Sequence, residues 1–494
     1  MRTTCPGFLL AALWLAAAGC AHFDPKPLDV ARMADDFDAR TLDTPELRAF
    51  IETNRGPVSV WPPAAWNFDQ LTLAALFLHP RLDVARAELA SVRAAEITAG
   101  ARPNPTVGVT PEYNFNPAGG VTPWIAGVQF DLPIETAGKR GHRLAKARQL
   151  SDAARLRIGT VAWEIRSGVR AAWLDLHDAG QRAELLSRQL TAQQRTLAAL
   201  ETKFSLGAAT TSDLAPARLA RARTRKELAD ARVLSDEARA RLASAIGLPL
   251  KSLPPSTAFK FANAAMDVGT TEATQRAPSP LGGERAGVRA DSAFTPTPPP
   301  FNSPTARHRA LTSRTDLLAS LAEYAAAETA LQLEVAKQYP DLHLGTGYQF
   351  DQGENKWALG LSAEIPVLNR NRGPIAEAQA RRAEAAARVL ALQARIIGDV
   401  DRALAAWHGA QTRSGAMEEV RAEQQARVQS LQTQLQAGAV ESLDVLAAEA
   451  ELAADELFHW EARIKELRAL GELEDAIQFP LTPDLSLNPR RSAP

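Results

Sequence analysis

The chain has 494 residues, a formal net charge of −1, 23% charged residues and 6% aromatic residues. That length leaves room for about three domains at about 150 residues each, and the balanced charge gives no basic surface for nucleic acid. With two cysteines, neither a disulfide framework nor a thiolate metal site can be built, and no run reaches the roughly 18 apolar residues of a membrane-spanning helix.

The N-terminus reads as a signal peptide over 1–19. Arg2 supplies the positive region, and Phe8 to Ala18 a short apolar one. The stretch ends in LAAAGCAHF, where Ala18 and Gly19 precede Cys20. That arrangement resembles a bacterial lipoprotein signal, which implies that Cys20 becomes the lipidated, palmitate-bearing first residue. Simple cleavage near Ala18 is the alternative. Ala21 stands where Asp would favour inner-membrane retention, so outer-membrane sorting is expected. Residues 20–60 are expected to form a lipidated, irregular N-terminal segment.

The rest of the chain carries one plan twice, at an offset of about 231–235 residues. LHPRLDVARAEL before ARPNPTVGV is answered by SRTDLLASLAEY before KQYPDLHLG. FDLPIETAGKRG is answered by AEIPVLNRNRGP, and KFSLGAATTSDL by QLQAGAVESLDVL. The first repeat, 61–254, is expected to hold a helix near 70–101, a β-hairpin at 105–133, a long helix at 137–204 and a helix at 212–246. The second, 309–480, is expected to hold a helix, a hairpin at 340–366, a long helix at 371–437 and a helix at 441–476. Residues 255–308 between them are rich in Pro, Gly and Ser without apolar period, and read as a disordered linker. Residues 481–494 form a tail.

Residues 137–204 contain no proline, and Ile158, Val161, Ile165, Ala172, Leu176, Ala179, Ala183, Leu186 and Leu190 recur mostly at steps of three and four. Such a helix is about 100 Å long. Two shorter helices laid end to end match it, which suggests a helical cylinder. A rod-like coiled coil fits the helices equally well, and the hairpins separate the two.

In the second hairpin Leu342, Leu344, Thr346, Tyr348 and Phe350 share a face, as do Trp357, Leu359, Leu361, Ala363 and Ile365. The opposite face is small or polar. The first hairpin does the same with Val107, Val109, Tyr113 and Phe115, then Trp124, Ala126, Val128, Phe130 and Leu132. Pro111 interrupts strand 1 and removes a ladder donor. Strands of about ten residues cross a bilayer when tilted. Tyr113, Phe115, Trp124, Tyr348, Phe350 and Trp357 gather at the loop ends, where a barrel places an interfacial aromatic girdle. A sheet in lipid must close, and the smallest such barrels have about eight strands. Four strands per chain therefore require several chains to share one barrel.

ARPNPTV, DLPIETAGKRG, SLGAATTSDL, AGAVESLDVL and the duplicated plan resemble the TolC-like outer membrane efflux protein family over about 60–480, apart from the linker. WPPAAWNFDQLTLAALFLHPRL and GKRGHRLAKA look most like its heavy-metal cation efflux branch. The resemblance implies a mainly α fold with a small β part. Its long α-helical barrel would be continuous with a transmembrane β-barrel shared by a homotrimer. It also implies a location in the outer membrane extending into the periplasm. The implied partners are a periplasmic adaptor and a proton-driven inner-membrane pump of the resistance–nodulation–division type. The duct itself is not an enzyme, and no cofactor or resident metal is expected.

Members of that family close at the turns that follow their long helices, here Ser205–Asp213 and Gln436–Asp444. Gly207 and Gly438 sit where a helix ends in a left-handed residue. Asp213 and Asp444 fall in the first turn of the next helix, where capping is the plain role. The resemblance implies that Asp444 also joins a cation-attracting ring across the closed tip. A second aspartate of that family ring is replaced here by Ala447.

The eight histidines are scattered, with no i, i+4 pair. GTGYQFDQG lacks the Gly-Lys-Ser/Thr of a phosphate loop and no helix follows. Two other readings remain at this stage: the exit duct of a type I protein-secretion system, and a lipid-anchored periplasmic coiled-coil scaffold.

Overall fold

A computed structural model describes residues 23–117, 119–259, 261, 303–351 and 353–481. The signal peptide, Cys20, the tail from 482 onward and most of the expected linker lie outside the described residues. The chain divides into two compact units at Thr41 and Leu42.

In the first unit, α1 (Val30–Asp38) starts where the Asp29 carboxylate accepts the Ala31 and Arg32 N–H groups at 3.0 and 3.2 Å. The second unit opens with α2 (Pro45–Arg55). Its start is set by Thr44 as cap and Pro45 in the first turn, a position where proline's missing donor is no loss. The expectation of an irregular 20–60 is thus corrected by two short helices, and Leu47 and Ile51 bury one face of α2.

Each repeat then begins with a broken helix rather than the single one expected. In the first, α3 (Phe68–Leu78) and α4 (Pro80–Gly100) divide at His79, which is extended with ψ 121°. Pro80 forces this by excluding the helical region for the residue before it. In the second, α7 (Ser303–Ser313) and α8 (Thr315–Ala336) divide at extended Arg314. Helix α7 starts inside the expected linker because Ala306 and Ala310 pack against Ile396, Val400 and Trp407.

The long helices are α5 (Lys139–Ser205), 67 residues, and α9 (Arg372–Gln436), 65 residues, or about 100 Å each. They are followed by α6 (Thr211–Ile246) and α10 (Ser442–Ile477), of 36 residues each. Helix α5 is backed by α4 and α6, and α9 by α8 and α10. In addition, α5 packs on α8 and α10 of the other repeat, which joins the two halves. One core gathers around Leu71, Ile165, Val169, Trp173, Leu242 and Ile246, the other around Ile396, Val400, Trp407, Leu473 and Ile477.

The strands β1 (Thr106–Tyr113), β2 (Trp124–Ile134), β3 (Leu342–Asp351) and β4 (Glu354–Ala363) form one antiparallel sheet in the order β1-β2-β3-β4. Pro111 sits inside β1 opposite Ala126, tolerated because β1 is an edge strand.

Candidate functional site

The register decides which residues share a face, because directly opposed residues point the same way. Val109 opposes Val128, Val128 opposes Tyr348, and Tyr348 opposes Trp357. The apolar sets of all four strands therefore form one continuous surface. The opposite surface carries Thr110, Gly127, Gln129, Asp131, His343, Gly345, Gln349 and Lys356. On it His343 Nδ1 lies 3.0 Å from an Asp131 carboxylate oxygen. Gly127 keeps the wall thin there, since a Cβ would come within 2.7 Å of the Thr110 hydroxyl.

The apolar surface is bare. Trp357 is 82% exposed, Leu359 77% and Leu361 70%. No helix packs across the sheet among the described residues. A contiguous apolar area of this kind marks a partner or a membrane. The six aromatics expected as a girdle fall into groups: Tyr113 meets Phe115 and Trp124 edge-on at 5.2 and 5.0 Å, and Tyr348 meets Trp357 at 5.0 Å. Phe350 lies opposite Ala126 and Asn355 on the same face.

Where β-sheet gives way to helix, the two repeats are clamped. Lys139, buried at the head of α5, donates to the Tyr339 carbonyl at 2.7 Å and to the Asp341 carboxylate at 2.8 Å. The Thr136 N–H donates to the same carboxylate at 2.9 Å.

The far ends of the long helices also repeat each other. Gly207 and Gly438 are left-handed, with φ 74° and 71°. Ala208 N–H reaches back to the Lys203 carbonyl and Ala439 N–H to that of Gln434, both at 2.9 Å. These six-to-one bonds close each helix with a Schellman turn, which needs a residue free to take positive φ. The following helix then starts with a capping box. The Thr210 N–H donates to Asp213 at 2.8 Å, and the Glu441 N–H to Asp444 at 3.1 Å. The Thr210 N–H and hydroxyl together hold the Asp213 carboxyl below its usual range. An ion pair of Lys203 with Glu441 ties the two tips side by side. Gly207, Asp213, Gly438 and Asp444 are thus brought to one end of the helices, with both aspartates in the capping role.

A third cluster escaped the sequence. At the seam of the repeats, Arg166 and Arg170 of α5 both bind the buried Glu474 carboxylate of α10, at 3.0 and 2.7 Å. Arg170 also donates to the Gly471 carbonyl at 2.7 Å and pairs with Asp475, which the Trp163 indole N–H reaches at 3.0 Å. The Arg166 guanidinium lies over Trp163 and Phe68. Burial pushes it down, against the support of Glu474. The signal was present as two arginines four apart on an apolar helix face. The partner carboxylates lie about 300 positions away, a separation that periodicity does not bridge. Among the described residues no group of three His, Cys, Asp or Glu could hold a metal ion, and no helix is long and apolar enough to cross a membrane.

A four-stranded sheet with one bare apolar face is thus joined to a duplicated pair of long helices, the class of fold that the repeated motifs led one to expect. The chain belongs to the family described as outer membrane efflux protein, whose model matches residues 72–248 and 306–477. That is the TolC-like family expected from the duplicated motifs, and the matched segments leave out the expected linker 255–308 except its last three residues. Among known relatives, the cobalt-zinc-cadmium resistance protein CzcC of Cupriavidus metallidurans is 25% identical over 247 residues, covering 50% of this chain and 51% of that protein. The match thus spans about half the length of that relative, and its name lies on the heavy-metal side of the family. Among solved structures, CusC, described in terms of transmembrane channel formation, superposes with a TM-score of 0.61 at 18% identity, covering 84% of this chain and 92% of that one. The outer-membrane channel OprN gives 0.63 at 17% identity, covering 94% and 99%. At these identities the likeness is one of fold: mainly α, with a small shared sheet.

Proposed function

We propose that the chain is one subunit of a homotrimeric outer-membrane duct. It would pass heavy-metal cations or small toxic compounds from the periplasm to the outside. The observation that carries this reading is the sheet: apolar on one side, polar on the other and, among the described residues, uncovered on its apolar side and open at both edges. In lipid those edges must be closed. Two copies make an eight-stranded barrel, which side chains fill, whereas three copies make a wider one that leaves a passage. The polar face with its glycines then lines water, and the apolar face meets lipid with its aromatics at one interface.

The paired long helices continue the passage into the periplasm, and the Gly207 and Gly438 turns form its tip. There Asp444 in three copies rings the axis as a cation-attracting constriction, in addition to capping α10. The duct catalyses nothing. A proton-driven inner-membrane pump of the resistance–nodulation–division type, joined through a periplasmic adaptor, supplies the energy. The name of the CzcC relative favours divalent metal cations as cargo. Cys20 carries a lipid that anchors the N-terminus to the same membrane.

The test is reconstitution into planar bilayers together with deletion of the gene. Discrete ion conductance, and heightened sensitivity of the deletion strain to divalent metals or drugs, are expected. Absence of conductance from folded protein would favour a lipid-anchored scaffold. Loss of a secreted polypeptide without altered sensitivity would favour a protein-secretion duct.

A further inference from the structure

Among the described residues the polar side of the sheet carries one imidazole, that of His343 at the helix end of β3. Its neighbours on that side are small. It opposes Pro133 of β2 and Ser362 of β4, and Gly345, Gly347 and Gly360 follow on the same face. The side chain is 43% exposed. Its hydrogen-bond partner is Asp131, whose carboxylate oxygen lies 3.0 Å from Nδ1. An ionised carboxylate only accepts, so the proton of the neutral ring sits on Nδ1. The acceptor lone pair is then on Nε2, the nitrogen turned away from Asp131, which has no partner among the described residues.

Histidines bind metal ions in this arrangement. One ring nitrogen donates to a carboxylate, which fixes the tautomer and makes the other nitrogen more basic. Asp131 comes from the first hairpin and His343 from the second, so the pair exists because β2 and β3 join. A second imidazole of this kind, His459 with Glu418 at 2.9 Å, has a different setting. Arg421 and Arg463 both act on it electrostatically and would repel a cation. Beside His343 the nearby cation is taken up, since Lys139 donates to Asp341 and to the Tyr339 carbonyl.

We infer that His343 Nε2 is a ligand for divalent transition-metal cations passing along the bore, with Asp131 as its positioning residue. This rests on the channel reading above and adds to it a point where cargo is touched. An imidazole nitrogen suits Zn²⁺, Co²⁺, Ni²⁺ or Cu²⁺, whereas Mg²⁺ and Ca²⁺ prefer oxygen ligands. One protein ligand, with water in the remaining positions, holds a cation weakly and releases it quickly. A conduit needs both properties. Three copies of the chain place three such rings at one level of the wall, just above the Lys139 clamp where sheet gives way to helix.

The test is single-channel recording of the full-length chain in planar bilayers at constant pH, with Zn²⁺ or Mg²⁺ added to a potassium solution. Zn²⁺ is expected to reduce the wild-type current at a lower concentration than Mg²⁺ does. The Mg²⁺ response measures the carboxylates of the bore, Asp444 included. His343→Ala is expected to raise the half-blocking Zn²⁺ concentration by about tenfold or more and to leave the Mg²⁺ response unchanged. Asp131→Ala is expected to raise it by about tenfold, the usual effect of losing an outer partner, and Asp131→Asn by less, since an amide oxygen still accepts from Nδ1. His343→Cys supplies a thiolate, which also takes Zn²⁺, and is expected to restore the block. If His343→Ala does not assemble, His343→Gln reports the same loss. Zn²⁺ block no tighter than that of Mg²⁺ in the wild type, or an unchanged half-blocking concentration in the alanine or glutamine variant, overturns the ligand. An unchanged response in Asp131→Ala overturns the positioning role and leaves that pair as a tie between β2 and β3. Absence of any conductance from folded protein overturns the channel reading itself.

Discussion

Gly471→Ala sets two effects of known size against each other. Gly471 lies inside α10, where alanine is the better helix former by about 1 kcal/mol. On propensity alone the substitution stabilises. Yet a Cβ at this position would come within 2.6 Å of Arg170 Nε and 3.2 Å of Arg170 Cζ. The guanidinium must move, and it is held by the Gly471 carbonyl, Glu474 and Asp475. Hydrogen bonds to charged groups are worth about 1.5–3 kcal/mol each. Loss of two of them therefore outweighs the propensity gain and leaves a net destabilisation of roughly 2–5 kcal/mol. The variant is expected to unfold at lower temperature by circular dichroism in detergent, and to survive more briefly at a fixed elevated temperature. In an Arg170→Ala background the clash is gone, so Gly471→Ala should then stabilise by about 1 kcal/mol. That change of sign is the signature of coupling. A single variant as stable as wild type, or the same effect in both backgrounds, would refute the reasoning.

Three further outcomes follow from the geometry and the sequence. His177, stacked on Phe261 at 4.2 Å and edge-on to Trp460, is held neutral by burial, its pKa pushed down to about 4 from 6.5. The unfolded chain binds that proton first as pH falls, so stability is full above about 6.5 and declines toward pH 4 by up to roughly 3 kcal/mol; His177→Phe should flatten that decline in a pH series of melting curves. Asp444→Ala is expected to lower cation selectivity in single-channel recordings, and unchanged selectivity would leave only the capping bond to Glu441. Cys20→Ser should abolish acyl labelling of the exported protein; labelling that persists would refute Cys20 as its site, and a wild-type chain that takes no label would point to ordinary cleavage near Ala18.

Much of this protein was legible in the amino-acid order. A helix of 67 residues needs only an unbroken apolar period and freedom from proline, both local properties of 139–205. The tips were legible because Gly207 and Gly438 are the residues that a Schellman turn requires. The breaks at His79 and Arg314 were missed for different reasons. Pro80 at the first position of α4 carries a steric rule that the apolar run around it masked. Arg314 is turned by packing, since its guanidinium donates to the Ala476 carbonyl at 2.8 Å and to Asp316 at 3.0 Å. The two helices within 20–60 were passed over because short elements depend on their caps, and α2 also on the face that Leu47 and Ile51 bury.

The sequence by itself determined the duplication, the periods of helix and strand, and the two-faced character of each hairpin, since all of these are written in neighbouring residues. Only the tertiary structure decided that the hairpins join through β2 and β3 in one register, and that Arg166 and Arg170 meet Glu474 across the repeats. Those choices are made by contacts between residues some 200 to 300 positions apart. Their energies depend on which surfaces meet, and no local pattern encodes that meeting.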